Sequence, residues 1–184
     1  MSKKHRSLIF GTVLLITGVV FAYYLSDCQT MSVKKALFPG NQVPDFELKD
    51  QDGKNCRLYD FKEKVIVLHF WASWCPPCLE ELPAMLNFIN NYKNNDTSIK
   101  LQWVFIEYDQ KWEDAWKVIP NKKYPSQVTL LLDPTNSVAA RFGIYKYPET
   151  FILSSDFKIL HKWVGPQNWL NGNMTVNFQK LLVR

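Results

Sequence analysis

Val65-Ile66-Val67-Leu68-His69-Phe70-Trp71-Ala72-Ser73-Trp74-Cys75-Pro76-Pro77-Cys78-Leu79-Glu80-Glu81-Leu82-Pro83 decides how this chain folds. Val65 to Phe70 is a nearly continuous apolar run rich in β-branched residues, the pattern of a central strand buried on both faces. After Cys78 the period changes. Leu79, Leu82, Leu86 and Ile89 recur every three or four residues and mark one buried helical face. Pro76 and Pro77 fit a first helical turn, where the missing N–H would be unpaired anyway. Pro83 is expected to kink the helix. A strand therefore runs directly into a helix, with two cysteines at the junction.

Outward from this core the elements repeat. Leu101 to Ile106 reads as a second strand, Trp112 and Trp116 as one face of a helix, and Val128 to Leu132 as a third strand. Ser137 to Phe142 is a short helix closed by Gly143. Thr150–Leu153 and Ile159–Val164 form a hairpin pair, and Asn168 to Leu182 supplies a last helix. Upstream, Phe46-Glu47-Leu48 and Cys56-Arg57-Leu58 alternate around an Asp52-Gly53 turn, which predicts an N-terminal hairpin. The order gives an α/β fold with a mixed central sheet flanked by helices.

The N-terminus reads as an address. Lys3, Lys4, His5 and Arg6 precede Leu8 to Leu25, 18 residues without a charge. At about 1.5 Å per residue this span covers roughly 27 Å, enough for a thin bilayer. Tyr23 and Tyr24 suit its far interface, and the preceding positive charge keeps the N-terminus cytoplasmic. The expected organisation is a cytoplasmic tail over 1–7, a single-pass transmembrane signal anchor over 8–25, a linker over 26–40 and a folded domain over 41–184. The domain would face the periplasm or outside of a bacterial cytoplasmic membrane. Val20-Phe21-Ala22 also has spacing that a signal peptidase could cut, although the apolar run exceeds a usual signal core. Leu25-Ser26-Asp27-Cys28 faintly resembles a lipoprotein box, with Asp27 where a small residue belongs.

Composition narrows the class. The 184 residues are 47% hydrophobic and 21% charged, which excludes a disordered tail, a collagen-like repeat and a multipass membrane protein. Removing Lys3, Lys4 and Arg6 leaves 19 basic against 17 acidic side chains, so the net +5 falls to +2. A nucleic-acid partner would need basic charge in the folded part, and none is expected.

Two cysteines three apart between a strand and a helix are a thioredoxin-type redox signal. Cys75 stands at the helix N-terminus, where orphan N–H groups and the positive dipole end favour a thiolate, the attacking species in thiol–disulfide exchange. Cys78 lies one turn further on the same face and can resolve a mixed disulfide. A zinc site would need a second pair at suitable spacing, and Cys28 and Cys56 do not supply one. Cys56 reads as a packed free thiol.

The segment from Phe70 to Pro83 resembles the active site of membrane-anchored thioredoxin-like proteins of the TlpA/ResA/DsbE (CcmG) type, with their Cys-x-x-Cys-x-x-Glu-x-Pro pattern. The resemblance continues in Leu132-Asp133-Pro134, in Ala139 to Gly143 and in Tyr147-Pro148-Glu149-Thr150-Phe151, and covers roughly residues 40–165. It implies a thioredoxin fold with an added N-terminal hairpin, a Cys75–Cys78 redox disulfide and disulfide exchange outside the cytoplasm. The direction it implies is commonly reductive, as in supplying reduced cysteines for cytochrome c maturation. It implies protein substrates, a membrane thiol–disulfide reductant and no cofactor or metal. By the same resemblance Pro148 is expected to be cis and to face the cysteines, with Trp74 and Tyr147 beside it in substrate binding. Glu81 matches the family acid, a candidate for proton transfer. Glu149 also matches the pattern.

Departures are visible. His69 stands where ordinary thioredoxins place a buried acid; it reads as a core residue that could relay a proton near neutral pH if it lay near Cys78. Lys146-Tyr147 replaces the usual glycine step before the cis-proline. Three other functions compete. One is a disulfide oxidase on the same machinery. Another is a copper-handling module using Cys75 and Cys78 with His69, His161 or Met85. The third is a peroxiredoxin-class peroxidase, whose Thr-x-x-Cys context is absent.

Overall fold

A computed structural model describes residues 16–23, 36–94, 96, 98–119 and 124–182. The chain divides into two compact units, Met1–Lys34 and Lys35–Arg184. In the first, residues 16–23 are helical. No helix among the described residues is long and apolar enough to cross a membrane. The span expected over 8–25 extends beyond the described residues on both sides, and Cys28 lies outside them.

In the second unit the described strands form one seven-stranded mixed sheet. They are β1 (Glu47–Asp50), β2 (Asn55–Arg57), β3 (Val65–Trp71), β4 (Leu101–Glu107), β5 (Val128–Leu132), β6 (Glu149–Leu153) and β7 (Ile159–Val164), in the spatial order β2-β1-β5-β4-β3-β6-β7. β3, β4 and β5 are parallel neighbours, and β6 and β7 add antiparallel at one edge. The hairpin of β1 and β2 joins the other edge antiparallel to β5. The helices are α1 (Pro76–Asn91), α2 (Trp112–Val118), α3 (Ser137–Arg141) and α4 (Met174–Leu182).

The apolar run of β3 is paired on both sides, and six of its seven residues are buried. Alternation along the strand separates two cores. Val67 and Trp71 face a layer containing Cys75, Cys78, Met85, Phe88, Ala115 and Phe178, contributed by α1, α2 and α4. Ile66, Leu68 and Phe70 face the opposite layer, with Leu58, Val138, Ala139 and Phe142 under α3 and the N-terminal segment. Gly143 closes α3 with a φ of 68°, a left-handed conformation that suits glycine after a helix. Asp133, fully buried, accepts N–H bonds from Ser137, Val138 and Ala139 and so satisfies the start of α3.

Several boundaries differ from the sequence reading, two of them by a change of element. Leu58 belongs to a 3-10 turn (Leu58–Phe61) rather than to the hairpin, because its side chain is fully buried under the sheet and its N–H bonds Phe46 O. The last helix begins at Met174, not Asn168. Residues 167–173 instead form turns, with Asn168 and Asn171 side chains bonding backbone N–H groups two residues on.

Candidate functional site

Cys75 caps α1 from an extended conformation, with φ −96° and ψ 103°. Pro76 and Pro77 carry no N–H, so the Cys78 N–H is the first donor of the helix, and it bonds Cys75 O at 3.0 Å. It also reaches the Cys75 sulfur at 3.3 Å. The two cysteines form a disulfide with Cα atoms 5.3 Å apart. Both are nearly buried, Cys75 4% exposed and Cys78 1%.

The approach to Cys75 is held by the end of β4. Tyr108 N–H bonds Trp71 O, Ser73 N–H donates to Asp109 Oδ2 at 2.8 Å, and Trp74 Nε1 donates to Tyr108 O at 3.0 Å. Trp74 is exposed beside the disulfide. Its ring meets those of Tyr108 and Tyr147 edge-on, each at 5.8 Å, while Tyr108 and Tyr147 stack at 6.0 Å. The Tyr147 hydroxyl donates to Asn136 Oδ1, and burial holds that phenol well above its ordinary range. The Tyr147–Pro148 peptide is cis, and the Pro148 carbonyl accepts from Gly165 N–H. Trp74 and Tyr147 thus meet in one aromatic cluster next to the redox pair.

Glu81, one helical turn past Cys78, is buried. One carboxylate oxygen accepts from Gln167 N–H at 3.0 Å and from the Trp169 indole. Burial raises its pKa, and those two bonds oppose the shift. Glu80 is exposed. Glu149 lies on the opposite face of the sheet, buried and paired with Lys162 at 2.7 Å.

His69 is the packed core residue that the sequence reading expects. It is buried on the cysteine side of β3, with Nδ1 2.9 Å from Thr150 Oγ1 and its ring 5.0 Å from Phe105. Burial lowers its pKa from 6.5 to about 3, so the ring stays neutral near neutral pH. The unfolded chain binds a proton there that the native chain refuses, so stability is present above pH 6.5 and is lost as pH falls toward 3. Within that window the loss is about 1.4 kcal/mol per pH unit. Urea denaturation of wild type and His69→Gln from pH 7 to 4 measures it: the wild-type curve falls more steeply, and parallel curves would contradict the assignment.

Cys56 is a free thiol in the hairpin. Burial, then Asp60 and Asp50, push its pKa up to about 11, so it is protonated at neutral pH. Among the described residues no group of three or more His, Cys, Asp or Glu side chains is placed to hold a metal ion.

Glu107 escaped the sequence reading, which ended the strand at Ile106. It is the last residue of β4, fully buried, and neither carboxylate oxygen finds a hydrogen-bond donor among the described residues. Burial, then its contact with Asp109, push its pKa up to about 10. The available signal was an acid directly continuing an apolar strand, which is also how a strand commonly ends in solvent.

A thioredoxin-like fold with a Cys-x-x-Cys disulfide opening its first helix defines a thiol–disulfide oxidoreductase. Comparison with known proteins agrees. The AhpC/TSA family profile matches residues 39–162, and the chain belongs to that family. It is 29% identical over 170 residues to the thiol-disulfide oxidoreductase ResA of Bacillus cereus, covering 90% of this chain and 91% of the relative. It is 32% identical over 138 residues to the thioredoxin-like protein YneN of Bacillus subtilis, covering 74% and 78%. A crystal structure described as a candidate thiol:disulfide interchange protein DsbE from Chlorobium tepidum superposes with a TM-score of 0.66 at 28% identity, over 80% of this chain and 99% of that one. The chain is therefore a thiol–disulfide oxidoreductase of the ResA/DsbE type, with Cys75 and Cys78 as its Cys-x-x-Cys pair.

Proposed function

We propose that this oxidoreductase works outside the cytoplasm as a reductant, tethered by a membrane anchor over residues 8–25. Cys75 attacks a disulfide of a protein substrate as a thiolate. The mixed disulfide forms as the substrate's other sulfur leaves as a thiolate. Cys78, deprotonated, then attacks the Cys75 sulfur, releases the reduced substrate and leaves the Cys75–Cys78 disulfide. A membrane thiol–disulfide reductant returns two electrons to this disulfide. Trp74, Tyr147 and Pro148 form the substrate-binding rim, and Glu81 moves protons to or from the cysteines. Apocytochrome c with oxidised cysteines is a substrate of the expected class. No bound cofactor takes part.

The observation that carries the reductive direction is the composition of the first turn of α1. A strong oxidant owes its potential to a stabilised thiolate form. Here Pro76 and Pro77 withdraw two of the N–H groups that would stabilise it, leaving Cys78 N–H as the donor at 3.3 Å. The thiolate is favoured enough to react and not enough to make the disulfide strongly oxidising. Redox titration of the whole chain in detergent micelles against glutathione and dithiothreitol is expected to give a potential below about −230 mV. A value near about −120 mV, as in strongly oxidising periplasmic enzymes, would reverse the direction.

A further inference from the structure

Among the described residues five carboxylates are buried: Glu81, Glu107, Asp109, Asp133 and Glu149. Four have donors or a cation. Glu81 accepts from Gln167 and Trp169, Asp109 from Ser73, Asp133 from the start of α3, and Glu149 is paired with Lys162 and accepts from Tyr145 N–H. Glu107 has neither. An ionised carboxylate buried without a donor or cation is costly enough that the group keeps its proton instead. A protonated carboxyl is itself a donor, and the side chain it meets is the Asp109 carboxyl.

The position of this pair matters. Glu107 is the register partner of Trp71 across β3 and β4, on the sheet face that packs the cysteines. The Trp71 indole nitrogen is also buried without an acceptor among the described residues. Asp109 in turn holds Ser73 N–H, two residues before Cys75. The proton is therefore linked to the cysteine approach by one shared carboxylate.

The other titratable groups packed around this end of the sheet are engaged elsewhere or turned to solvent. From β3, His69 is with Thr150; from β5, Asp133 caps α3; from α1, Glu81 is bonded to Gln167 and Trp169. From α2, Asp114 adds a second negative charge and is itself paired with Lys117. Glu113, Lys111 and Lys117 are exposed. The Tyr108 and Tyr147 rings stack in the aromatic cluster, and the Tyr147 hydroxyl donates to Asn136 Oδ1.

We propose that Glu107 and Asp109 form a buried carboxyl–carboxylate pair sharing one proton, and that its hold on this proton follows the redox state of the cysteines. The inference rests on the exchange reading of Cys75 and Cys78. Reduction by dithiothreitol transfers two electrons to the disulfide, oxidises the dithiol and leaves a Cys75 thiolate and a Cys78 thiol. The new negative charge opposes ionisation of Glu107, so the reduced protein binds the shared proton more tightly than the oxidised one. At pH values between the Glu107 ionisation of the oxidised protein and the higher one of the reduced protein, reduction takes up as much as one further proton, from solvent. Glu107 acts through Asp109 and the Ser73–Cys75 backbone and is a positioning residue.

Redox difference infrared spectroscopy of the full chain in detergent, reduced with dithiothreitol, tests this directly. Wild type is expected to show a protonated-carboxyl C=O stretch that changes on reduction. Glu107→Gln loses this band while its disulfide is still reduced. Asp109→Asn, which leaves Glu107 intact but removes its charged neighbour, shifts it. The potential of wild type falls more steeply with pH in the alkaline interval, and Glu107→Gln loses that steeper part. A wild-type spectrum without a redox-sensitive carboxyl band, or one that Glu107→Gln leaves unchanged, overturns the pair even if disulfide exchange is intact. Should Glu107→Gln fail to fold, Asp109→Asn decides: a band it does not move overturns the proposal. Failure of wild type to turn over any protein disulfide would instead overturn the exchange reading beneath it.

Discussion

Cys75→Ser is expected to abolish protein-disulfide reduction, and Cys78→Ser to stop it halfway. In an assay with oxidised insulin and dithiothreitol, the Cys75→Ser protein gives no turnover above the reagent alone. Cys78→Ser, reduced beforehand and mixed with oxidised insulin after the dithiothreitol has been removed, accumulates a covalent complex with the substrate that a reducing gel dissolves. The asymmetry follows from position. Cys75 is the N-cap, outside the helical backbone, where orphan N–H groups and the helix dipole favour a thiolate. Its sulfur already accepts the one N–H that the two prolines leave near it. Cys78 lies inside α1 and is 1% exposed, packed in the layer with Met85 and Trp71. A thiol there is poorly placed to meet a large substrate and well placed to reach back to Cys75. Complex formation by Cys75→Ser, through Cys78, would invert the assignment.

How much of this was readable follows from which residues carry local signals. The strand-to-helix switch around Cys75 is announced by a change of hydrophobic period, and the structure puts β3 and α1 there. The α/β order was legible for the same reason, since each strand of the parallel core is an unbroken apolar run. The ends of elements were less so. Leu58 is apolar in either a strand or a turn, and only its burial under the sheet decides between them. His69 was located correctly in a strand, but its state depends on its burial, on Thr150, 81 positions away in sequence, and on the Phe105 ring. Glu107 was hidden because an acid at a strand end ordinarily faces water. Its burial comes from the sheet face it shares with Trp71, which no local pattern records. The Trp169 indole that meets Glu81 comes from a turn near the C-terminus, again a long-range meeting.

Breaking the Glu149–Lys162 pair is expected to be the most damaging single change outside the cysteines. The Lys162 ammonium lies 2.7 Å from Glu149 Oε2, with side-chain exposures of 6% and 0%. The ammonium also sits 4.9 Å from the Phe151 ring centre and 5.9 Å from that of Phe38. The other Glu149 oxygen accepts from Tyr145 N–H, two residues before Tyr147. The pair therefore lies between the β6–β7 edge and the loop that carries Tyr147 and Pro148. Removing one partner leaves a buried charge that can neither reach water nor find a counter-ion, at a cost of about 3–5 kcal/mol. Lys162→Met keeps most of the apolar stem and isolates Glu149; Glu149→Gln keeps the shape and isolates Lys162. Each is expected to lower the urea midpoint by that much free energy at pH 7. The double variant Lys162→Met, Glu149→Leu removes both charges and should recover much of the loss, because two well-packed apolar side chains often equal a buried ion pair. Additive losses in the double variant would show that the two charges do not act on each other. The single variants also separate stability from function. The Cys75–Cys78 disulfide is on the other face of the sheet, so its reduction by dithiothreitol persists while the native fold persists. Capture of a protein substrate weakens if the Tyr145–Tyr147 loop depends on the Glu149 carboxylate, and the single-turnover rate of mixed-disulfide formation in a Cys78→Ser background measures that dependence.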